Sequence, residues 1–162
     1  MTARFVDRHE NRIDDKGRVS VPAPFRAIIA AGHAEREPGR HPSFYLVYDP
    51  RKKTVRGYTV AEHERLLSGA SKIENPKLRK AVQLQFSAFA AHTTLDANGR
   101  IQVTPKLREI VGEAKMVEFV GEDRCFRMMP ADETESTLVD EFDALSADLE
   151  EGLDLTDLIP AE

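Results

Sequence analysis

The chain has one cysteine, Cys125, and no tryptophan among its 162 residues. A lone thiol excludes an intrachain disulfide and any CxxC-type redox or metal site, and its ordinary place is as a small, half-buried side chain. No apolar run approaches the roughly 20 residues that span a bilayer, and the opening Met-Thr-Ala-Arg-Phe-Val-Asp-Arg lacks the apolar stretch of a secretory signal. A cytoplasmic protein without membrane contact is expected. The five histidines, at positions 9, 33, 41, 63 and 92, show neither HxxxH nor HExxH spacing; each reads as a surface or turn residue, and no metal is expected. GxSxG, Walker-type and GxGxxG sequences are also missing. That removes the nucleophile elbow and the phosphate cradle, so no cofactor, no small-molecule substrate and no enzymatic activity are expected.

Positive charge is outnumbered, 23 Lys and Arg against 28 Asp and Glu for a formal net charge of -5, which at first sight argues against a polyanionic partner. Its distribution reverses that impression. Residues 1–56 carry 12 Lys and Arg against 7 Asp and Glu, residues 57–130 carry 11 against 9, and residues 131–162 carry 12 acids and no base. A basic body precedes a purely acidic end, and it is the local balance that a polyanion meets.

What the sequence does contain is a repeat. Ile13-Asp-Asp-Lys-Gly-Arg-Val-Ser-Val-Pro-Ala-Pro-Phe-Arg-Ala-Ile-Ile29 matches Leu95-Asp-Ala-Asn-Gly-Arg-Ile-Gln-Val-Thr-Pro-Lys-Leu-Arg-Glu-Ile-Val111 at a constant offset of 82. Asp14/Asp96, Gly17/Gly99, Arg18/Arg100, Val21/Val103, Arg26/Arg108 and Ile28/Ile110 are identical pairs. In each copy an Asp able to bond its own backbone and a Gly free to take positive φ predict a tight hairpin turn, making Asp14, Gly17, Asp96 and Gly99 the turn-structuring residues. Alternation of Val19 and Val21, and of Ile101 and Val103, predicts strands with one buried face, Ser20 and Gln102 pointing the other way. A helix follows in each copy. Thr104 as N-cap, Pro105 at the first position and Gly112 as stop mark the second, whereas Pro22 and Pro24 leave the first only a short helix to Gly32.

Further strands are expected over Phe44–Tyr48 and Lys115–Val120, each followed by a turn, a short strand and a helix starting near Val60 or Pro130. Asn75 and Pro76 predict a linking helix whose apolar residues Leu78, Val82, Leu84, Phe86 and Phe89 run into the second copy. The expected organisation is a first half over residues 1–74, the linking helix over 75–88, a second half over 89–145, and an acidic, partly disordered tail over 146–162.

These residues resemble those of the MraZ family, bacterial regulators associated with the cell division and cell wall gene cluster. The resemblance rests on the duplicated Asp-x-x-x-Arg motif (Asp14–Arg18 and Asp96–Arg100), each copy followed by an apolar strand and a helix with Phe25-Arg26 or Leu107-Arg108. It implies an α+β fold: a pseudo-two-fold β-barrel of two interleaved, AbrB-like swapped-hairpin halves with peripheral short helices. It also implies a nucleoid-associated, ring-shaped homo-oligomer on double-stranded DNA. Asp15, Asn98, His9 and Asn11 depart from the family pattern, so the first copy is expected to carry more of the DNA contact than the second.

On this reading Arg18 and Arg100 reach phosphates or guanine edges, helped by Lys16 and Asn98, since the planar arginine fork bonds both bidentately. Arg26 and Arg108 are further candidates, though a helix-surface arginine is often merely solvated. Asp14 and Asp96 as an acid-base pair are disfavoured, because an adjacent Arg keeps each ionised. The alternative class is a protein-interaction, antitoxin-like module without direct DNA binding, whose acidic end binds another protein.

Overall fold

The computed structural model describes residues 3–161. In chain order the elements are β1 (Arg8–Arg12), β2 (Arg18–Ser20), α1 (Ala23–Ala31), β3 (Ser43–Asp49), β4 (Thr54–Thr59), α2 (Val60–Ala70) and the linking helix α3 (Pro76–Ser87). The second half repeats the order with β5 (Ala90–Thr94), β6 (Arg100–Gln102), α4 (Pro105–Val111), β7 (Met116–Gly121), β8 (Phe126–Pro130) and α5 (Ala131–Leu145), before a 3-10 helix over Leu155–Leu158. The chain divides into two compact units, one ending at Ala131 and the other beginning at Asp132.

The larger unit is α+β, and all its strand pairs are antiparallel. Six strands form a sheet in the order β1-β7-β8-β4-β3-β5, and β2 pairs with β6 in a ribbon. Replacing each strand by its counterpart in the other copy turns this order into itself read backwards. The two copies are therefore related by a pseudo-two-fold axis, and they exchange strands: β1 pairs with β7, and β5 with β3. The axis passes through the Val19–Ile101 pair of the ribbon, equivalent residues that face each other and are fully buried. The expected hairpin is thus real only at its turn. Beyond a single bridge from Ile13 to Val19, β1 and β2 leave each other for partners in the other copy, where Val19 of β2 is buried.

The core lies inside this exchange. Phe126 touches Phe5, Phe25, Phe44 and Phe119 at ring-centroid separations of 5.2, 5.4, 5.7 and 5.9 Å. Leu107, Val111, Ile29 and Val21 close it from both copies. Neither copy alone supplies enough apolar surface for so small a unit to bury. Cys125 is likewise buried, and burial pushes its thiol up to about 11.

Local signals placed the helices well, with three corrections. Asn75 caps α3 by accepting from the backbone N–H groups of Lys77 and Leu78, and Thr104 caps α4 by accepting from Leu107. The first-copy helix is not the shorter one: α1 has nine residues and α4 seven. Pro22 occupies the cap of α1 and Pro24 lies in its first turn, where no intrahelical N–H is needed, so the prolines start the helix rather than limit it. The apolar side of α3, expected to run into the second copy, is only partly covered. No α3 residue is buried, and Leu78 and Leu84 are 59% and 44% exposed. Nor are the histidines all at the surface. His63 is buried, stacked on Tyr45 at 3.9 Å and hydrogen-bonded through Nε2 to the Phe86 carbonyl at 2.7 Å, because β3 and α3 close over it. No helix among the described residues is long and apolar enough to cross a membrane.

Candidate nucleic-acid interface

The ribbon carries the two predicted turns. In the first, the Asp14 N–H donates to the Arg18 carbonyl at 2.8 Å and the Gly17 N–H to the Asp14 carbonyl at 3.0 Å; in the second, Asp96, Arg100 and Gly99 repeat the pattern at 2.9 and 3.0 Å. Gly17 and Gly99 take φ of +76° and +75°, the left-handed region that costs other residues about 1–2 kcal/mol. Asp14 Oδ1 accepts from the backbone N–H groups of Lys16 and Arg18, and Asp96 Oδ1 from those of Asn98 and Arg100. The second oxygen of each carboxylate accepts from the arginine side chain, Arg18 Nε at 2.9 Å and Arg100 Nε at 3.0 Å.

These bonds hold both carboxylates below the usual range. The backbone N–H of the arginine is the largest cause in each, partly opposed by desolvation, with the arginine side chain adding to it. The aspartates therefore remain ionised and orient two functions at once: the turn, through Oδ1, and the arginine head, through Oδ2.

The turns lie at the two ends of the ribbon, each bound to the strand of the other copy. The Val21 N–H donates to the Gly99 carbonyl at 3.0 Å and the Val103 N–H to the Gly17 carbonyl at 2.7 Å, so each turn is fastened to the strand end of the opposite copy. Arg18 and Arg100 are thereby placed on one face of the ribbon and half-buried, whereas Lys16 and Asn98 are exposed in the turns at its opposite ends. Arg100 Nη1 also lies 3.9 Å from Asp14 Oδ2, linking the two ion pairs.

Arg26 and Arg108 do not behave alike. Arg26 crosses from α1 to the second turn, where its Nη1 donates to the Asn98 carbonyl at 3.4 Å, and a Cβ on Gly99 would overlap its Nη1 and Cδ atoms. Arg108 instead folds back on the end of α4, donating to the carbonyls of Gly112 and Ala114 at 3.1 and 3.2 Å. The first turn is held by a different residue. Gln102 Nε2 donates to the carbonyls of Lys16 and Gly17 at 3.0 and 3.2 Å, whereas its counterpart Ser20 has too short a side chain for an equivalent reach. Gln102 was not among the expected site residues; the one available signal was the unequal length of the Ser20/Gln102 pair. Among the described residues, no group of three or more His, Cys, Asp or Glu side chains is placed to hold a metal ion.

No protein-family model matches the chain, but individual relatives do. A transcriptional regulator MraZ of Cereibacter sphaeroides is 37% identical over 114 residues, covering 69% of this chain and 67% of the relative. One from a Ruegeria species is 28% identical over 156 residues, or 95% of this chain and 93% of the relative. One from an Anaeromyxobacter species is 32% identical over 127 residues, or 76% and 81%. With this extent of identity, the chain belongs to the MraZ family.

Proposed function

We propose that the chain is a sequence-specific, DNA-binding transcriptional regulator of the cell division and cell wall gene cluster, acting at the nucleoid as a ring-shaped homo-oligomer on repeated promoter boxes. The observation that carries this reading is the joining of two Asp-x-x-x-Arg turns by one antiparallel ribbon that puts both arginines on the same face, each oriented by a carboxylate. With Nε held by aspartate, the terminal amino groups of Arg18 and Arg100 are the part that would meet DNA, and restricting the side chain beforehand lowers the entropy lost on contact. Lys16 and Asn98 at the exposed tips would add a phosphate contact and a base or backbone hydrogen bond. The exchanged strands favour reading the larger unit as an AbrB-like swapped-hairpin barrel. A single pair of turns would bind weakly, and several copies on spaced boxes raise the effective concentration.

The test is a mobility shift on the chain's own upstream DNA over a salt series. Arg18→Ala and Arg100→Ala are each expected to weaken binding roughly tenfold or more and to reduce the salt slope by about 1 where a phosphate contact is lost. Unchanged binding and slope in both variants refute this site. No specific shift by the unmodified chain refutes DNA binding itself and favours the protein-interaction alternative.

A further inference from the structure

We propose that the recess between α1, the start of α2 and the β7–β8 turn is a binding site for a small amphipathic carboxylate. This site is independent of the DNA-binding reading. The recess holds about 280 Å³, and its inner wall is apolar, made by Phe5, Ile28, Ala31 and Ala61. That volume lies close to the lower end of the roughly 300–1,000 Å³ range of small-molecule sites, which limits the ligand to a short chain or a single ring. The wall is fixed in place from several directions. The Phe5 N–H donates to the Asp123 carbonyl at 2.7 Å and the Asp123 N–H to the Phe5 carbonyl at 3.0 Å, while the Phe5 ring meets Phe25 edge-on at 5.1 Å. The Ala61 N–H donates to the Gly32 carbonyl at 3.0 Å, and a Cβ on Gly32 would overlap the Thr59 side chain, so α1 and α2 close the recess at one end.

The mouth selects the charge. Arg65 Nε and Nη2 donate to the two oxygens of Glu62 at 2.8 and 2.6 Å. The Arg65 hydrogen bond is the largest cause that holds the Glu62 carboxyl below its usual range, partly opposed by desolvation, so Glu62 stays ionised. Arg124 Nη1 approaches the same carboxylate only to 3.6 Å, too far for a hydrogen bond, and its side chain is 54% exposed. Asp123, also at the mouth, is paired with Arg4. Three guanidinium groups thus face two carboxylates, and the surplus charge lies at Arg124. A ligand carboxylate would balance it in the fork geometry that arginine favours, with its hydrocarbon end against Phe5 and Ile28. The recess beside Ile110, the repeat counterpart of Ile28, is built differently: Lys106 lies over the rings of Tyr48 and Phe89 at 5.6 and 5.7 Å, so its ammonium already rests on aromatic faces. The site therefore belongs to the first copy.

The test titrates hexanoate into the isotope-labelled full chain, with hexanol and hexylamine as uncharged and oppositely charged controls, and follows the backbone amides by NMR. Hexanoate is expected to give saturable shifts at Ala31, Gly32, Ala61 and Glu62, hexanol to bind the same place more weakly, and hexylamine not to bind. Arg65→Gln/Arg124→Gln is expected to weaken hexanoate about tenfold or more while leaving hexanol unchanged. Ala31→Leu, which fills the recess, is expected to remove both. Shifts that do not saturate, shifts centred on Ile110, or hexylamine binding as well as hexanoate overturn the proposal, as does equal loss of hexanoate and hexanol in the folded arginine variant. If circular dichroism shows the double variant unfolded, Arg124→Gln alone replaces it, because that arginine holds Glu62 the more loosely, and it is judged by the same ratio of hexanoate to hexanol affinity.

Discussion

Replacing Gly99 by Ala tests how the second turn is held, and Gly17 supplies a matched control. Both residues have nearly the same φ, +75° and +76°, in turns of the same sequence position, so the left-handed cost of about 1–2 kcal/mol is common to both. The neighbours differ. At Gly17 the new Cβ would meet only Gln102 Nε2 at 2.9 Å, the far end of a flexible amide. At Gly99 it would overlap the Cδ and guanidinium of Arg26, whose stem lies across the turn. Expelling Arg26 forfeits its bond to the Asn98 carbonyl and the packing of its stem, about 1 kcal/mol more. Urea denaturation should therefore show Gly17→Ala destabilised by about 1–2 kcal/mol and Gly99→Ala by about 2–3 kcal/mol. In an Arg26→Ala background the excess at Gly99 should vanish, a coupling that a double-mutant cycle measures directly. Equal costs at the two glycines, or a Gly99 cost indifferent to Arg26, would falsify the assignment of Arg26 as a strap over the second turn.

Other consequences concern charge and burial. Because Asp14 and Asp96 titrate below their usual range, they contribute stability that is present above the unfolded value near 3.9 and is lost as pH falls through the folded value. The Asp14→Asn/Asp96→Asn variant should thus be less stable than the parent at neutral pH, with the two acid-denaturation curves converging below about pH 4; parallel curves would contradict the hydrogen-bond account. Burial pushes the Cys125 thiol up to about 11, so a thiol reagent near neutral pH should label it far more slowly in the folded chain than in denaturant. Glu122 accepts from Arg56 Nε at 3.1 Å and from Arg127 Nη2 at 3.0 Å, and Arg127 is only 3% exposed. Glu122→Ala should cost about 3 kcal/mol, clearly more than Arg56→Ala, in thermal melts.

Local physics made the turns and helix starts readable. An Asp that bonds its own backbone, a Gly with positive φ, a capping Asn or Thr and a proline at a helix start all act within four residues, so their spacing alone locates them. Strand partners are different. The alternation of Val19 and Val21 decides which face is buried but says nothing of what covers it, and the polar strand β1, Arg8–Arg12, carries no alternation that could point to β7 as its partner. The same limit explains α3. Leu78 and Leu84 have the period of a core helix, yet α3 is covered on one side only, so the pattern was legible and its destination was not. Arg26 was a candidate from the sequence, but its place across the second turn was not legible: Gly99 lies 73 positions away in the other copy, and no spacing rule connects them.

That cross-copy contact shows what fusing two repeats in one chain permits. In a dimer of identical single modules, a residue that straps one turn must strap both, and any change is made twice. Here the strands that build the frame retain the two-fold pattern, as do the Asp–Arg pairs and the Val21–Gly99 and Val103–Gly17 bonds. The outer fastenings have diverged: Arg26 serves the second turn, Gln102 the first, and Arg108 is released to close its own helix. The exposed tips differ in the same way, Lys16 bringing a charge where Asn98 brings only hydrogen bonds. A pair of turns with a symmetric base and unequal tips suits a DNA site whose two halves are not identical. Exchanging Lys16 and Asn98 should then favour the operator half-sites in the opposite orientation, whereas equal substitution of both tips by lysine should abolish the orientation preference and steepen the salt dependence.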